Sequence, residues 1–234
     1  MSLSRRRVEP EILDDLTESD PRAVASRRDL RRVNALMIHR GILVNLLRRH
    51  LQAPPRRILE IGAGDGSFML AVARRLAPKW PGVHLVLLDR QQLVSDRTLE
   101  AFRRFGWRAE LVAADVFDWT EGAAHERFDA VTANLFLHHF REPELARLLR
   151  ALSDLAPVVI ATEPARAGFP LLASKLLWAI GANEVTRNDA PASVRAGFAG
   201  TEISALWPQD RGWHLEEGRR GIFTQAFSAR RVAP

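Results

Sequence analysis

The stretch RILEIGAGDGSF, residues 57–68, constrains the fold of this chain more than any other. Ile58, Leu59 and Ile61 form an apolar run that reads as a buried parallel strand, and three glycines, Gly62, Gly64 and Gly66, follow before an apolar-periodic segment over residues 68–76. That is strand, tight turn, helix. Glycine suits the turn because it accepts positive φ and lets a ligand approach the backbone, and the helix N-terminus beyond it offers unpaired N–H groups. The turn is expected to seat a ligand. Its spacing is G-x-G-x-G, without the third glycine of G-x-G-x-x-G or the Lys and Ser/Thr of a P-loop. Asp65 places a negative charge in the turn, which repels a pyrophosphate and tolerates a ligand with a positive centre and an ammonium group.

Further strands alternate with helical segments. A second strand over residues 84–88 ends in Asp89, close to the roughly 20-residue spacing at which a strand-end acid meets ribose hydroxyls. A helix over 96–105 and a strand over 109–113 lead to Ala114-Asp115-Val116-Phe117, and a fourth strand over 128–134 runs through Leu135 into His138 and His139. The fifth strand, 157–161, ends in Thr162-Glu163-Pro164. This alternation predicts an α/β, doubly wound sheet whose reactive crevice lies beyond the carboxyl ends of the strands. Glu163 then lies near His138. Histidine suits general-base work because its unperturbed pKa is about 6.5. His138 is expected as base with Glu163 orienting it, and His139 is the alternative. A histidine pair that only caps a helix or bonds backbone carbonyls stays open.

Glu60-Ile61-Gly62-Ala63-Gly64-Asp65-Gly66 resembles motif I of the class I S-adenosylmethionine-dependent methyltransferases: an acid, an apolar residue, then G-x-G-x-G. The resemblance implies a Rossmann-like fold, a mostly parallel seven-stranded sheet with helices on both faces, closed by an antiparallel hairpin over about 213–230. It implies S-adenosylmethionine as cofactor, held by Glu60, Gly62, Ala63, Gly64, Asp65 and Gly66 of the turn. Asp89 and Arg90 would then meet the ribose, Asp115 and Val116 the adenine, and Asn134 and Leu135 the methionine part. The region after the fourth strand has neither the [D/N/S]-P-P-[aromatic] of base aminomethylation nor the paired glutamates of arginine methylation. Its paired histidines are similar to those of small-molecule O-, N- and C-methyltransferases. The 184–198 segment resembles bacterial methyltransferases encoded beside type III polyketide synthases, which implies secondary metabolism and a phenolic or polyketide-type hydroxyl as acceptor. That segment reads as a polar loop inside an acceptor-side insertion of about 165–200. Met37 of the N-terminal cover and Arg187, Asp189 and Arg195 of this segment are the expected acceptor contacts, with Asn34 and His39 as further pocket candidates; core or surface roles for Asn34, Met37 and His39, and a structural salt-bridge cluster for the other three, stay open.

The chain's 234 residues suit a helical N-terminal cover over 1–55 and one methyltransferase domain over 56–234. Residues 1–20 read as poorly ordered or partly helical. Ser19-Asp20-Pro21 then caps a helix over about 22–51, broken near Gly41. Cysteine is absent, which excludes disulfides, thiolate metal sites and cysteine nucleophiles. The histidines show no H-x-x-x-H spacing, so no metal site is expected. No apolar run reaches the roughly 18 residues of a membrane span, and MSLSRRRVEP lacks the apolar core of a signal peptide, which points to the cytoplasm. The net charge of +6 permits nucleic-acid contact without establishing it. The arginines at 5–7, 27, 28, 31 and 32 read as a solvated face more than a phosphate-binding arm. Expected is a monomer or homodimer acting on a small molecule; an RNA methyltransferase and a catalytically inactive partner protein of the same fold are the alternatives.

Overall fold

The sheet grows outward from the apolar run at Arg57–Ile61 (β1). In the computed structural model, which describes residues 3–122, 127–209 and 212–232, β1 pairs in parallel with β2 (His84–Asp89) and β4 (Ala130–Asn134). Beyond β2 lies β3 (Arg108–Ala113), and beyond β4 lies β5 (Val158–Pro164), both parallel. An antiparallel hairpin, β6 (Trp213–Arg220) and β7 (Thr224–Arg231), closes the sheet against β5. The order is β3-β2-β1-β4-β5-β7-β6, so the strand sequence reverses between β1 and β4, where a ligand crevice opens. This is the Rossmann-like, mostly parallel seven-stranded sheet expected.

The period of two along each strand divides the core. Leu59, Ile61, Val131, Val159 and Ala161 face α7 (Glu142–Leu155) and α10 (Glu202–Leu206). Ile58, Leu85, Leu87 and Ile160 face α3 (His39–His50), α4 (Ser67–Leu76) and the buried Phe102 of α5 (Asp96–Arg104). Residues of α3 therefore belong to a sheet-covering core layer. A further short helix, α6 (Val116–Gly122), follows β3.

Four segments depart from expectation. The N-terminal helical break falls at Ile38, not Gly41: α2 (Pro21–Leu36), capped by Asp20 as predicted, ends there, and Ile38 takes a left-handed φ of 54°. Tertiary contacts fix the bend, since the Met37 carbonyl accepts from Thr224 Oγ1 at 3.2 Å and His39 is fully buried. The apolar segment 169–180 splits into α8 (Gly168–Lys175) and a 3-10 turn, Leu177–Ile180. The supposed polar loop is a helix, α9 (Glu184–Ala196), capped by the Asn183 side chain and tolerating Pro191 inside it. Finally, residues 3–18 form an anchored strap with one helical turn, α1 (Ile12–Asp15).

Candidate active site

Parallel pairing places Asn134 beside Thr162, so the chain leaving β4 passes the carboxyl end of β5. Glu163, fully buried there, is saturated: one oxygen accepts from the backbone N–H groups of Phe136 and Leu137 at 3.0 and 2.9 Å, the other from His138 Nδ1 at 2.7 Å. These bonds require the proton on Nδ1 and turn Nε2 of His138 toward a cavity of about 860 Å³. There it meets Glu11 of the strap, 3.6 Å away. Burial disfavours charge on His138, but the hydrogen bonds to Glu11 and Glu163 overcome it and push the imidazole pKa up to about 9. The same bonds hold both carboxylates below their ordinary range despite burial. His139, half-buried beside it, pairs with Asp14 of α1 at 3.3 Å.

Neither Glu11 nor Asp14 stood out in the sequence. The strap that carries them is fastened along its length. Arg6 donates to the carbonyls of Ala196, His138 and Phe140 and stacks its guanidinium 4.1 Å from the Phe198 ring. Asp189 caps α1, accepting from Ile12 and Leu13 N–H at 3.0 Å each. At the other end Gln91 and Gln92, just past β2, bond Leu16 and Glu18. The basic residues Arg6, Arg31 and Arg32 are thus internally engaged, Arg31 with Asp65 at 2.6 Å and Arg32 with Asp29 at 3.4 Å.

The cofactor-side candidates divide into those on the cavity wall and those behind it. Gly62, Asp89, Arg90, Asp115, Val116 and Leu135 line it. Asp89 also braces the glycine turn, accepting from Gly64 N–H at 2.8 Å and Gln91 N–H at 3.0 Å. Gly62, Gly64 and Gly66 all have positive φ, and a Cβ on Gly64 would meet nothing within 4 Å, leaving open space for a ligand over the turn. Asp65 caps α4 through Ser67 N–H and is paired to Arg31, while Ala63 N–H bonds the Leu88 carbonyl. Asn134 is turned off the wall. Strand parity points it, with Thr162, to the α3 side, where its amide oxygen accepts from His39 Nδ1 at 2.7 Å and Thr162 Oγ1 at 2.9 Å. His39 is buried there and its pKa is pushed down to about 4.

Glu60 shares that parity and is likewise withdrawn. It bonds Thr132, and burial pushes its pKa up to about 8, so it is a neutral acid at physiological pH. A carboxyl whose folded pKa exceeds its unfolded value stabilises fully below about 4.5 and loses that contribution as pH rises through about 8. Glu60→Gln should therefore match the parent protein near pH 4.5 and exceed its stability near pH 8.5 by a few kcal/mol, on the order of the linkage term. Urea unfolding at the two pH values measures this; an unchanged difference would mean that Glu60 is ionised in the fold.

On the acceptor side, Met37 lines the cavity, as do Ala190, Ser193 and Val194 of α9. The expected contacts Arg187, Asp189 and Arg195 do not. A helix presents only one face inward: Arg187 is exposed, Asp189 is spent on the strap, and Arg195 gives its carbonyl to Arg7 N–H and its side chain a 3.9 Å contact with Glu9. Asn34 lies outside the described side chains. The aromatic wall is Phe117, Phe136, Phe140 and Phe223. Although the sequence spacing suggested no metal site, Glu11, His138 and His139 bring three potential ligand atoms within 4.8 Å of one another. In this arrangement the Glu11 and His138 atoms face each other as an ion pair.

Residues 58–156, less than half the chain, match the family model described as a methyltransferase domain. Strychnine O-methyltransferase of Strychnos nux-vomica is 27% identical over 100 residues, which cover 43% of this chain and 24% of that protein. Among solved structures, an O-methyltransferase family protein from Burkholderia thailandensis superposes with a TM-score of 0.59 at 18% identity, over 92% of this chain and 61% of the other. Magnesium protoporphyrin IX methyltransferase from Synechocystis PCC 6803 with bound SAH gives 0.54 at 16% identity, over 84% and 83%. The chain thus spans about a quarter of the curated relative and some three fifths of the Burkholderia protein. At these identities the structures share its fold. No helix among the described residues is long and apolar enough to cross a membrane.

Proposed function

We propose that this chain, whose residues 58–156 match a methyltransferase domain, transfers a methyl group from S-adenosylmethionine to a hydroxyl of a small molecule. The observation that carries the proposal is the His138–Glu163 pair, whose imidazole lines the same cavity as Gly62 and Asp89. S-adenosylmethionine, when bound, supplies a methyl on a sulfonium, which passes to the acceptor oxygen and leaves a neutral thioether. Of the residues that line the cavity, Gly62 would give the cofactor a backbone to lie against, Asp89 would accept from its ribose hydroxyls, and Asp115 with Val116 would flank its adenine. The O-methyltransferase names among the relatives favour oxygen over nitrogen or carbon as acceptor. The apolar and aromatic lining suits a phenolic or polyketide-type substrate of secondary metabolism.

His138 takes the acceptor proton at Nε2. In the closed strap arrangement that nitrogen faces Glu11 and the imidazole is charged. As the acceptor hydroxyl displaces Glu11, the Nε2 proton of the imidazolium leaves with the Glu11 carboxylate, and the neutral imidazole that remains takes the hydroxyl proton as the oxygen attacks. Glu163 holds the ring, and the backbone that precedes it, in place throughout.

Calorimetric titration with S-adenosylmethionine and S-adenosylhomocysteine tests the foundation. Micromolar binding is expected, weakened about 10-fold or more by Asp89→Ala, roughly the 1.4 kcal/mol or more of a lost charged hydrogen bond. Asp89→Asn keeps an acceptor for Gly64 N–H and should lose less. A folded protein that binds neither ligand would reduce the chain to a scaffold of this fold. Loss of turnover on treatment with a chelator would instead assign the Glu11, His138 and His139 cluster to a metal ion.

A further inference from the structure

Large apolar side chains are concentrated on one exposed face. Ile38, Phe169, Leu172, Leu176, Trp178 and Ile222 are each between 49% and 60% exposed, whereas the remaining large exposed apolar residues, such as Phe105, Val24 and Val232, are scattered. The six come from three segments that touch. Phe169 lies against Phe223 at 5.9 Å between ring centroids, a Cβ on Gly221 would sit 3.5 Å from Ile38, and Thr224 Oγ1 bonds the Met37 carbonyl. Phe169 and Leu172 of α8 and Leu176 just past its end follow one helical spacing and are exposed, while Pro170, Ala173 and Ser174 line the cavity, whose wall Leu176 also borders. The helix is apolar on both sides.

A contiguous exposed apolar face marks a contact site. Its charge identifies the partner. The segments that build it, residues 36–50, 165–183 and 218–231, contain no Asp or Glu at all. They carry Arg40, Lys175, Arg219 and Arg220 around the apolar side chains, and none of these four is ion-paired with a described acid. Apolar side chains framed by unpaired cations, on one short helix and the turns beside it, suit the interface of a bilayer that displays anionic headgroups.

We propose that this face docks reversibly on an anionic lipid surface, with α8 and the turn at 221–223 entering the headgroup layer. Binding requires no methyl transfer. If the functional reading above also holds, an apolar acceptor dissolved in the lipid would meet the enzyme at the outer side of its own cavity wall.

Flotation of the full chain with vesicles tests the proposal. Vesicles containing phosphatidylglycerol should carry the protein up the gradient, and vesicles of phosphatidylcholine alone should bind it at least about tenfold less. Phe169→Glu with Trp178→Glu, and separately Lys175→Glu with Arg219→Glu, should each lower partitioning about tenfold or more. Phe105→Glu, at an exposed position outside the face, should leave it unchanged. All the altered side chains are solvent-exposed, and circular dichroism verifies that the variants fold. Absence of vesicle binding overturns the proposal, as does binding that the apolar double variant leaves intact. A dimer in light scattering that the same variant dissociates would also overturn it, by giving the face to a second copy.

Discussion

Replacing His138 with glutamine is expected to lower kcat about 100-fold or more while cofactor affinity stays within about threefold, the loss typical of removing a general base. The two readouts separate because His138 Nε2 faces the cavity and bonds none of the cofactor candidates, of which Gly62, Asp89, Arg90, Asp115 and Val116 line the cavity from the ends of β1, β2 and β3. The pH profile carries the stronger test. A base works deprotonated, so kcat/KM of the parent protein should rise with pH toward the folded pKa of about 9. Burial lowers that value, and Glu11 from the strap and Glu163 from β5 more than offset it; Arg6, which bonds the His138 carbonyl, His139, whose ring lies 4.3 Å away, and Asp14, which pairs with His139, are charged and titratable neighbours. Glu11→Gln removes a hydrogen-bonded charge without touching Glu163. It should move the midpoint down toward the ordinary 6.5 and raise the rate near neutral pH. Glu163→Gln should move the midpoint the same way but slow the reaction, because the ring loses its anchor. The base assignment is lost if His138→Gln keeps kcat within about threefold, or if Glu11→Gln leaves the midpoint where it was.

The site's two halves differ in how far they were legible from the sequence, and the physical reason is the range of the contacts. The glycine turn, Asp89 and Asp115 are set by strand, turn and helix signals within a few residues of each, and the parallel order of β4 and β5 then brings Glu163 to His138. Strand parity is equally local. It sends Glu60, Thr132, Asn134 and Thr162 to the α3 side and Glu163 to the α7 side, which is why two expected cofactor residues, Glu60 and Asn134, bond the interior instead. Arg187, Asp189 and Arg195 lie off the cavity wall because the polar run is a helix: a cap at Asn183 and a 3.6-residue turn decide which of its side chains face in. The strap was beyond reach. Its anchor bonds join residues as far apart as Arg6 and Ala196, and nothing periodic in residues 3–18 announces them. Glu11 thereby became a partner of His138 that only the tertiary structure supplies.

The glycine turn and the His138 pair are mechanically joined through Phe136, and Gly62→Ala is expected to break both. Gly62 has a φ of 66°, a region that costs an alanine about 1–2 kcal/mol. A Cβ there would also lie 2.2 Å from Phe136 Cδ2 and 2.9 Å from its Cβ. Because Phe136 Cβ is itself in the clash, turning the ring does not relieve it. The Phe136 backbone N–H is held by Glu163 at 3.0 Å, the next residue's by the same oxygen, and Phe140 packs edge-on at 5.1 Å. Overpacking of this kind typically costs a further 1–3 kcal/mol, so unfolding free energy should fall by about 2–5 kcal/mol and cofactor binding by about 100-fold or more. Gly64 supplies the comparison. Its φ of 54° carries the same backbone cost, but a Cβ there touches nothing within 4 Å, so Gly64→Ala should lose only about 1–2 kcal/mol of stability. Removing the ring as well, in Gly62→Ala with Phe136→Ala, should return most of the steric part of the loss relative to Phe136→Ala alone, leaving the 2.9 Å contact with the retained Cβ and the backbone part. Equal effects of alanine at Gly62 and Gly64 would show that the turn's geometry, and not its contact with Phe136, governs the site, and the coupling between cofactor seat and base would fall with it.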